Sequence, residues 1–224
     1  MFDLSQDAIA DRLLRSPRLP FYLRRFQTVL EAERARREQF YEEITEDQKV
    51  EFINGEVVVQ SPVKLRHSQA SDNLFTLLSA YVRRHQLGMV RHEKVLVTLT
   101  RNDYEPDICF FKRERAQKFS PEQIKFPAPD FVVEVLSPST EEIDRGVKFE
   151  DYALHGVAEY WIVDPDRETV EQYALREGAE AYELRVKVQD GRLHSVAVEG
   201  FSIPVQAIFD NQMHLKTLRN ILGD

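Results

Sequence analysis

Two acidic residues stand where this chain otherwise places apolar side chains. Glu134 interrupts the apolar run from Phe131 to Leu136, and Asp107 directly precedes the apolar run Ile108-Cys109-Phe110-Phe111. Burying a carboxylate is costly unless a cation or hydrogen bonds compensate for the lost water. We therefore expect Asp107 and Glu134 to enter the core on separate strands and to share a cation.

The chemistry that suits such a pair is metal-assisted attack on phosphate. Carboxylate oxygens are ligands of Mg²⁺ or Mn²⁺, which activate a water and polarise a phosphoryl oxygen. Asp144, Lys148 and Tyr152 are spaced by four and share one face of a predicted helix, from which Lys148 would orient the water or stabilise charge on the phosphate. The alternative is structural: Asp107 and Glu134 are strand-end charges paired with Lys or Arg.

Other residues that could do chemistry have plain structural alternatives. His67 precedes a predicted helix, where it would act as a general acid or contact a phosphate at the helix N-terminus; the alternative is a polar cap. For Tyr152 we expect packing with a hydrogen-bonded hydroxyl. Trp161 and Cys109 lie in apolar runs and are expected in the core.

The elements that must position these residues belong to an α/β chain. Leu23–Glu43 is charged, free of glycine and helix-prone, and Val50–Val59 predicts two short strands joined at Asn54-Gly55. Further helices are predicted at 68–86, 140–155 and about 205–222, and strands at 95–100, 107–111, 131–136, 160–164, 170–175, 182–188 and 193–198. The pattern favours a central mixed sheet flanked by helices, with an N-terminal helical arm over residues 1–46 and one domain over residues 47–224.

Composition narrows the class of protein. The chain has 224 residues, 42% of them hydrophobic, which is enough for a real core, and its single cysteine excludes a disulfide framework. A formal net charge of -8 argues against broad contact with a phosphate backbone but leaves room for a local site. The sequence has no long apolar segment, so we expect a cytoplasmic protein.

A series of short motifs runs through the middle of the chain. In this order and spacing they resemble the Uma-two family, bacterial proteins with a restriction-endonuclease-like PD-(D/E)XK fold. The resemblance covers residues from about 49 to 175. The matching motifs are Glu51 to Glu56, Ser61-Pro62 with His67, Glu105-Pro106-Asp107, Pro129 to Thr140, Asp144 through Lys148 to Tyr152, and Gly156-Val157 with Glu159-Tyr160-Trp161.

The resemblance implies a site and a substrate. Asp107 would be the aspartate of the PD half, Glu134 the acidic residue of the next strand, and Glu51 an additional acidic residue nearby. DNA would be the substrate and Mg²⁺ or Mn²⁺ the cofactor, with Asp107 and Glu134 as metal ligands.

One position departs from the nuclease signature. A lysine is expected two residues after the glutamate, and this chain has Leu136 there. We expect Lys148 to supply the amine from the following helix. The departure leaves two hypotheses: a metal-dependent endonuclease, or a nuclease-like fold that binds nucleic acid or a protein without turnover. The arm also carries Phe21, Tyr22, Phe26 and Leu30, which predict a homodimer.

Overall fold

The computed structural model of the protein describes residues 8–45 and 48–223. The helices of this part are α1 (Ala8–Leu14), α2 (Leu19–Glu43), α3 (Leu65–His85), α4 (Arg113–Ala116), α5 (Glu141–Arg145), α6 (Val147–Leu154) and α7 (Asn211–Leu222), with a 3₁₀ helix at Val205–Ile208. The strands are β1 (Val50–Ile53), β2 (Glu56–Val59), β3 (Gly88–His92), β4 (Leu96–Thr98), β5 (Asp103–Tyr104), β6 (Ile108–Lys112), β7 (Lys125–Phe126), β8 (Phe131–Val135), β9 (Glu159–Asp164), β10 (Thr169–Leu175), β11 (Tyr182–Val188), β12 (Arg192–His194) and β13 (Ser202–Pro204).

The strands form two main sheets. The smaller sheet has five strands in the order β2-β1-β5-β4-β7, and the larger has six in the order β11-β10-β9-β8-β6-β3. A separate pair joins β12 to β13. The two parallel pairings are β4 with β7 and β8 with β9, and the remaining ladders are antiparallel. The central sheet is therefore mixed, as the sequence predicted.

The two faces of the larger sheet line different cores. Along β8, Phe131, Val133 and Val135 pack in the core beneath α3, α7 and the 3₁₀ helix. The alternate residues Val132 and Leu136 pack in a second core that includes Tyr152 and Val157. Because side chains alternate along a strand, Glu134 points to the face of Val132 and Leu136. That face is where the smaller sheet and α6 approach.

The N-terminal helix α2 packs on the smaller sheet through its second half. The Glu33 carboxylate accepts two hydrogen bonds from Arg101, and Arg37 Nε lies 2.5 Å from Asp103 Oδ2. Phe40 is buried in a third small core. The predicted division into an arm and a domain, at residues 46 and 47, lies outside the described residues.

Several elements differ from the sequence prediction. The single helix expected at 140–155 is wrong, because the chain breaks at Gly146 into α5 and α6. A Cβ at Gly146 would lie 2.7 Å from the carbonyl oxygen of Glu142, so only glycine fits this bend. The helix expected at 205–222 is likewise interrupted, since the Asp210 carboxylate accepts from Met213 N–H at 2.7 Å and starts α7.

The last predicted strand, 193–198, is also shorter than expected. After β12 the N–H groups of Val196 and Ala197 donate to Glu159 Oε2 at 3.0 and 2.9 Å instead of continuing a ladder. The hairpin at Asn54-Gly55 is confirmed, with positive φ at both turn residues. Across residues 8–45 and 48–223, no helix has both the length and the apolar character needed to cross a membrane.

Candidate active site

The register of the larger sheet brings the two carboxylates together. Strands β6 and β8 are antiparallel with Ile108 opposite Val133, so Asp107 lies opposite Glu134 at the end of the ladder. Val135 N–H donates to Asp107 Oδ2 at 2.8 Å, and Asp107 N–H lies 3.3 Å from Glu134 Oε2. Both side chains are buried. The expectation of two carboxylates entering from separate strands therefore agrees with the geometry.

Lys148 enters the same place from α6 and meets three carboxylates. Its Nζ lies 2.9 Å from Glu51, 3.2 Å from Glu134 and 3.1 Å from Asp144. The Lys148 side chain is only 1% exposed. Glu51 comes from β1 of the smaller sheet, and its Oε1 also accepts from the Glu105 N–H at 2.9 Å. Lys148 thus joins both sheets and α5 through ion pairs.

Asp107 has two basic partners of its own. Lys49, just before β1, places its Nζ 2.6 Å from Asp107 Oδ1. His67 Nε2 lies 3.5 Å from Asp107 Oδ2, and its buried Nδ1 has no hydrogen-bond partner among the described residues. The structure places His67 inside the first turn of α3, because that helix begins at Leu65 and not after His67.

These contacts connect six charged residues, which we call the ion cluster. Among the described residues, four carboxylates and two ammonium groups form it, so full ionisation would leave two negative charges in excess. The members are Glu51, Asp107, Glu134, Asp144, Lys49 and Lys148.

The pKa values of the paired carboxylates are pushed apart. Burial raises the pKa of Glu134 well above its usual range, and the nearby Asp144, Asp107 and Glu51 charges add to this against the attraction of Lys148. Burial also acts to raise the pKa of Asp107, but Lys49 and His67 outweigh it, and the pKa is lowered. Burial raises the pKa of the adjacent Glu105 to about 7. Asp107 is therefore the more readily ionised carboxylate of the pair, and Glu134 depends on its ion pair with Lys148 to hold its charge.

A small cavity opens onto these groups. Its volume is about 10 Å³, and Asp107, Glu134, His67, Asp144 and Lys148 all line it. This is about the space that one water needs. Among residues 8–45 and 48–223, no three His, Cys, Asp or Glu side chains are arranged to hold a metal ion. Mg²⁺ in proteins commonly takes only one or two carboxylates and completes its shell with water and substrate, so Asp107 and Glu134 fit the donor chemistry of that ion.

The structural alternative for the two carboxylates is also visible. Asp107 pairs with Lys49 and Glu134 pairs with Lys148. The metal-site and the structural interpretations concern the same side chains, because Asp107 and Glu134 are paired with lysines and also face the cavity. The carboxylates of the ion cluster outnumber its ammonium groups by two, which distinguishes the cluster from a closed salt bridge with equal numbers of opposite groups.

The remaining candidates are in the core. Trp161 and Cys109 are buried, as the sequence predicted. The expectation of a hydrogen-bonded hydroxyl for Tyr152 is wrong: its ring packs between Tyr104 and Tyr160, and its hydroxyl has no hydrogen-bond partner in the described structure. Leu136 is buried in the second core, two residues after Glu134.

Sequence reasoning missed Lys49. The signal was present, because Lys49 and Glu51 are two residues apart at the start of a strand and therefore point to the same face. The hairpin extends to this position, since Gln60 N–H donates to the Lys49 carbonyl at 3.0 Å. The contact of Lys49 with Asp107 depends on how the two sheets pack against each other, and a local sequence pattern does not predict that packing.

The comparisons with known proteins agree with this architecture. A relative from Synechocystis sp., named "Uncharacterized protein slr1290", is 29% identical over 164 residues, which are 72% of this chain and 84% of that protein. A crystal structure from Anabaena variabilis, described as a "putative nuclease belonging to DUF820", has a TM-score of 0.66 at 18% identity and covers 79% of this chain and 97% of its own. That likeness confirms the predicted nuclease-type α+β fold.

A family match covers most of the chain. Residues 37–206 match Uma2, a family described as "Putative restriction endonuclease". The match includes all six residues of the ion cluster, and it confirms the resemblance read from the sequence motifs. The chain belongs to the Uma2 family of restriction-endonuclease-like proteins.

Proposed function

We propose that the protein is a metal-dependent endonuclease that hydrolyses phosphodiester bonds in DNA. Its family is described as "Putative restriction endonuclease", and a solved structure of the same fold is described as a "putative nuclease". One observation carries the proposal: Asp107 and Glu134 lie opposite each other on adjacent strands and line one cavity together with Lys148.

The proposed roles follow from the contacts. Asp107 and Glu134 are the metal ligands, because they are the two carboxylates of adjacent strands that line the cavity together. A bound Mg²⁺ or Mn²⁺ would supply Lewis-acid polarisation of the phosphate and lower the pKa of a water. Glu51 holds Lys148 in place, and Lys148 holds Glu134. His67 lines the cavity beside Asp107 and is the general acid or phosphate contact.

The second candidate function is a binding module that keeps the fold without turnover. Leu136 at the usual lysine position favours it, and so does the small volume of the cavity, about 10 Å³. A module of this kind would bind nucleic acid or a protein partner and would release it unchanged.

A cleavage panel decides between the two functions. Supercoiled plasmid, duplex oligonucleotides and single-stranded oligonucleotides are incubated with the protein in Mg²⁺, Mn²⁺ or EDTA. The enzyme predicts cleavage that needs the divalent ion, is lost in Asp107→Ala and is retained in Asp72→Ala, a matched control on the exposed face of α3. Binding to DNA without cleavage in every condition supports the binding module instead.

We also propose that the protein is a cytoplasmic homodimer. The first half of α2 exposes Phe21 at 65%, Phe26 at 49% and Leu30 at 42% of their surface. Apolar side chains clustered in this way mark interaction surfaces, and symmetric pairs are the commonest assembly. A DNA substrate would be available to such a dimer in the cytoplasm.

A further inference from the structure

The site contains two amines, and their surroundings differ. Lys148 has three N–H donors, like every lysine, and three carboxylates lie within 3.2 Å of its Nζ. Its side chain is 1% exposed. Only the contact with Glu134 is a hydrogen bond, but the three carboxylates surround the buried ammonium, so Lys148 can approach a phosphate only if one of these ion pairs breaks.

Lys49 is differently placed. Its Nζ contacts a single carboxylate, that of Asp107, at 2.6 Å, and its side chain is 20% exposed. Two of its three donors meet no acceptor among the described residues. It stands on the same face of the β1 hairpin as Glu51, beside the strand end where Gln60 lines the cavity.

We propose that Lys49 is the catalytic amine of this site, the one that contacts the scissile phosphate, and that Lys148 is a positioning residue. This inference rests on the proposed endonuclease function. It assigns the position left open by Leu136 to a lysine from the smaller sheet. The ammonium of Lys49 lies beside the Asp107 carboxylate, a proposed metal ligand. A phosphate bound to that metal would gain negative charge next to this ammonium during attack.

The contact with Asp107 has a second consequence for the metal. Lys49 and a divalent cation compete for Asp107, because both are drawn to the same carboxylate and repel each other. Removing the ammonium therefore leaves a site that binds Mn²⁺ no more weakly than before. A residue whose only role was to build the metal site would have the opposite effect.

The test compares Lys49→Met with Lys49→Arg and with Lys216→Met, an exposed lysine of α7. Cleavage rate, Mn²⁺ affinity by calorimetry and melting temperature are measured for each. Lys49→Met should slow cleavage by about 100-fold or more. It should bind Mn²⁺ at least as tightly as the wild type. It should melt lower than the wild type in EDTA, because the buried Asp107 carboxylate loses its ammonium partner. Lys49→Arg should recover at least tenfold of the lost rate. Lys216→Met should match the wild type in all three.

Three results would overturn the proposal. Cleavage by Lys49→Met within threefold of the wild-type rate removes Lys49 from the chemistry and leaves the endonuclease function intact. Weaker Mn²⁺ binding in Lys49→Met makes Lys49 a part of the metal site and not the catalytic amine. A wild-type protein that cleaves no DNA with either ion refutes the proposed function, and the role of Lys49 falls with it.

Discussion

Replacing Lys148 by methionine should destabilise the protein, and the loss should depend on pH. The substitution removes the ammonium and leaves Glu51, Glu134 and Asp144 facing one another in a buried place. Breaking a buried ion pair from one side costs about 3–5 kcal/mol. Three partners are affected here, but removal of Lys148 also recovers the cost of burying its own charge, which is several kcal/mol. We expect a loss of about 3–5 kcal/mol at pH 7.

Protonation of the carboxylates limits this loss. Protonating a carboxyl group with an ordinary pKa of about 4.3 has a free-energy cost of about 3.7 kcal/mol at pH 7 but only about 1 kcal/mol at pH 5. Burial raises the pKa values of Glu134 and Asp144, and the variant loses the Lys148 charge that opposes this rise, so their folded-state pKa values lie further above the unfolded ones. Their unfavourable contribution is therefore absent below pH 4 and grows as the pH rises toward 7. The loss should shrink to about 1–2 kcal/mol at pH 5.

The assay is urea denaturation in EDTA at pH 5, 6 and 7, analysed by linear extrapolation. A control is Lys187→Met, whose Nζ lies 2.8 Å from Glu171 Oε1 but whose side chain is 55% exposed, so that its loss should stay below about 1 kcal/mol at each pH. A domain of this kind has a stability of about 5–15 kcal/mol, so the Lys148 variant should still fold. A loss below about 1 kcal/mol at pH 7, or an equal loss at pH 5 and pH 7, would refute the reasoning.

Three further predictions concern the metal, the core and the assembly. Calorimetry should show Mn²⁺ binding to the wild type and none to the Asp107→Ala variant; equal affinities would remove Asp107 from the ligand set. Tyr152→Phe should be as stable as the wild type or about 1 kcal/mol more stable, since the Tyr152 hydroxyl lacks a hydrogen-bond partner among the described residues. Tyr160→Phe should lose about 1 kcal/mol of stability, because Tyr160 donates to the Asp144 carbonyl at 3.0 Å. A lower melting temperature for Tyr152→Phe would contradict this reasoning. Light scattering at tens of micromolar should give a dimer that Phe26→Glu converts to a monomer, and a wild-type monomer would refute the dimer.

The sequence predicted the part of the site that depends on local pattern. Glu134 is recognisable because it is an acidic residue inside an apolar run, and the alternation of side chains along β8 predicts the face to which it points. The i, i+4 spacing of Asp144 and Lys148 predicts their common face, and the two residues contact each other although the helix breaks between them at Gly146. The break itself depends on a close approach to the carbonyl of Glu142, which no residue pattern shows.

The contacts between distant segments could not be predicted in this way. Strand β3 pairs with β6 along its whole length, but its sequence Gly-Met-Val-Arg-His has no clear alternation. The meeting of Lys49 with Asp107 requires that the two sheets be packed in one particular arrangement. The missing hydrogen bond of Tyr152 likewise depends on which atoms surround it in the finished core. These features come from tertiary packing and not from local preference.

The division of the ion cluster between two sheets affects the stage of folding at which the site becomes complete. Glu134 and Lys148 are 14 residues apart and can meet early, but Lys49 and Asp107 are 58 residues apart and meet only when the smaller sheet docks. Contacts of long sequence separation form late, because closing the intervening loop costs entropy before any contact repays it. A partly folded chain, including one still emerging during synthesis, would therefore carry an incomplete site. For the proposed endonuclease, an unfinished molecule would then be unable to cleave DNA until both sheets are assembled.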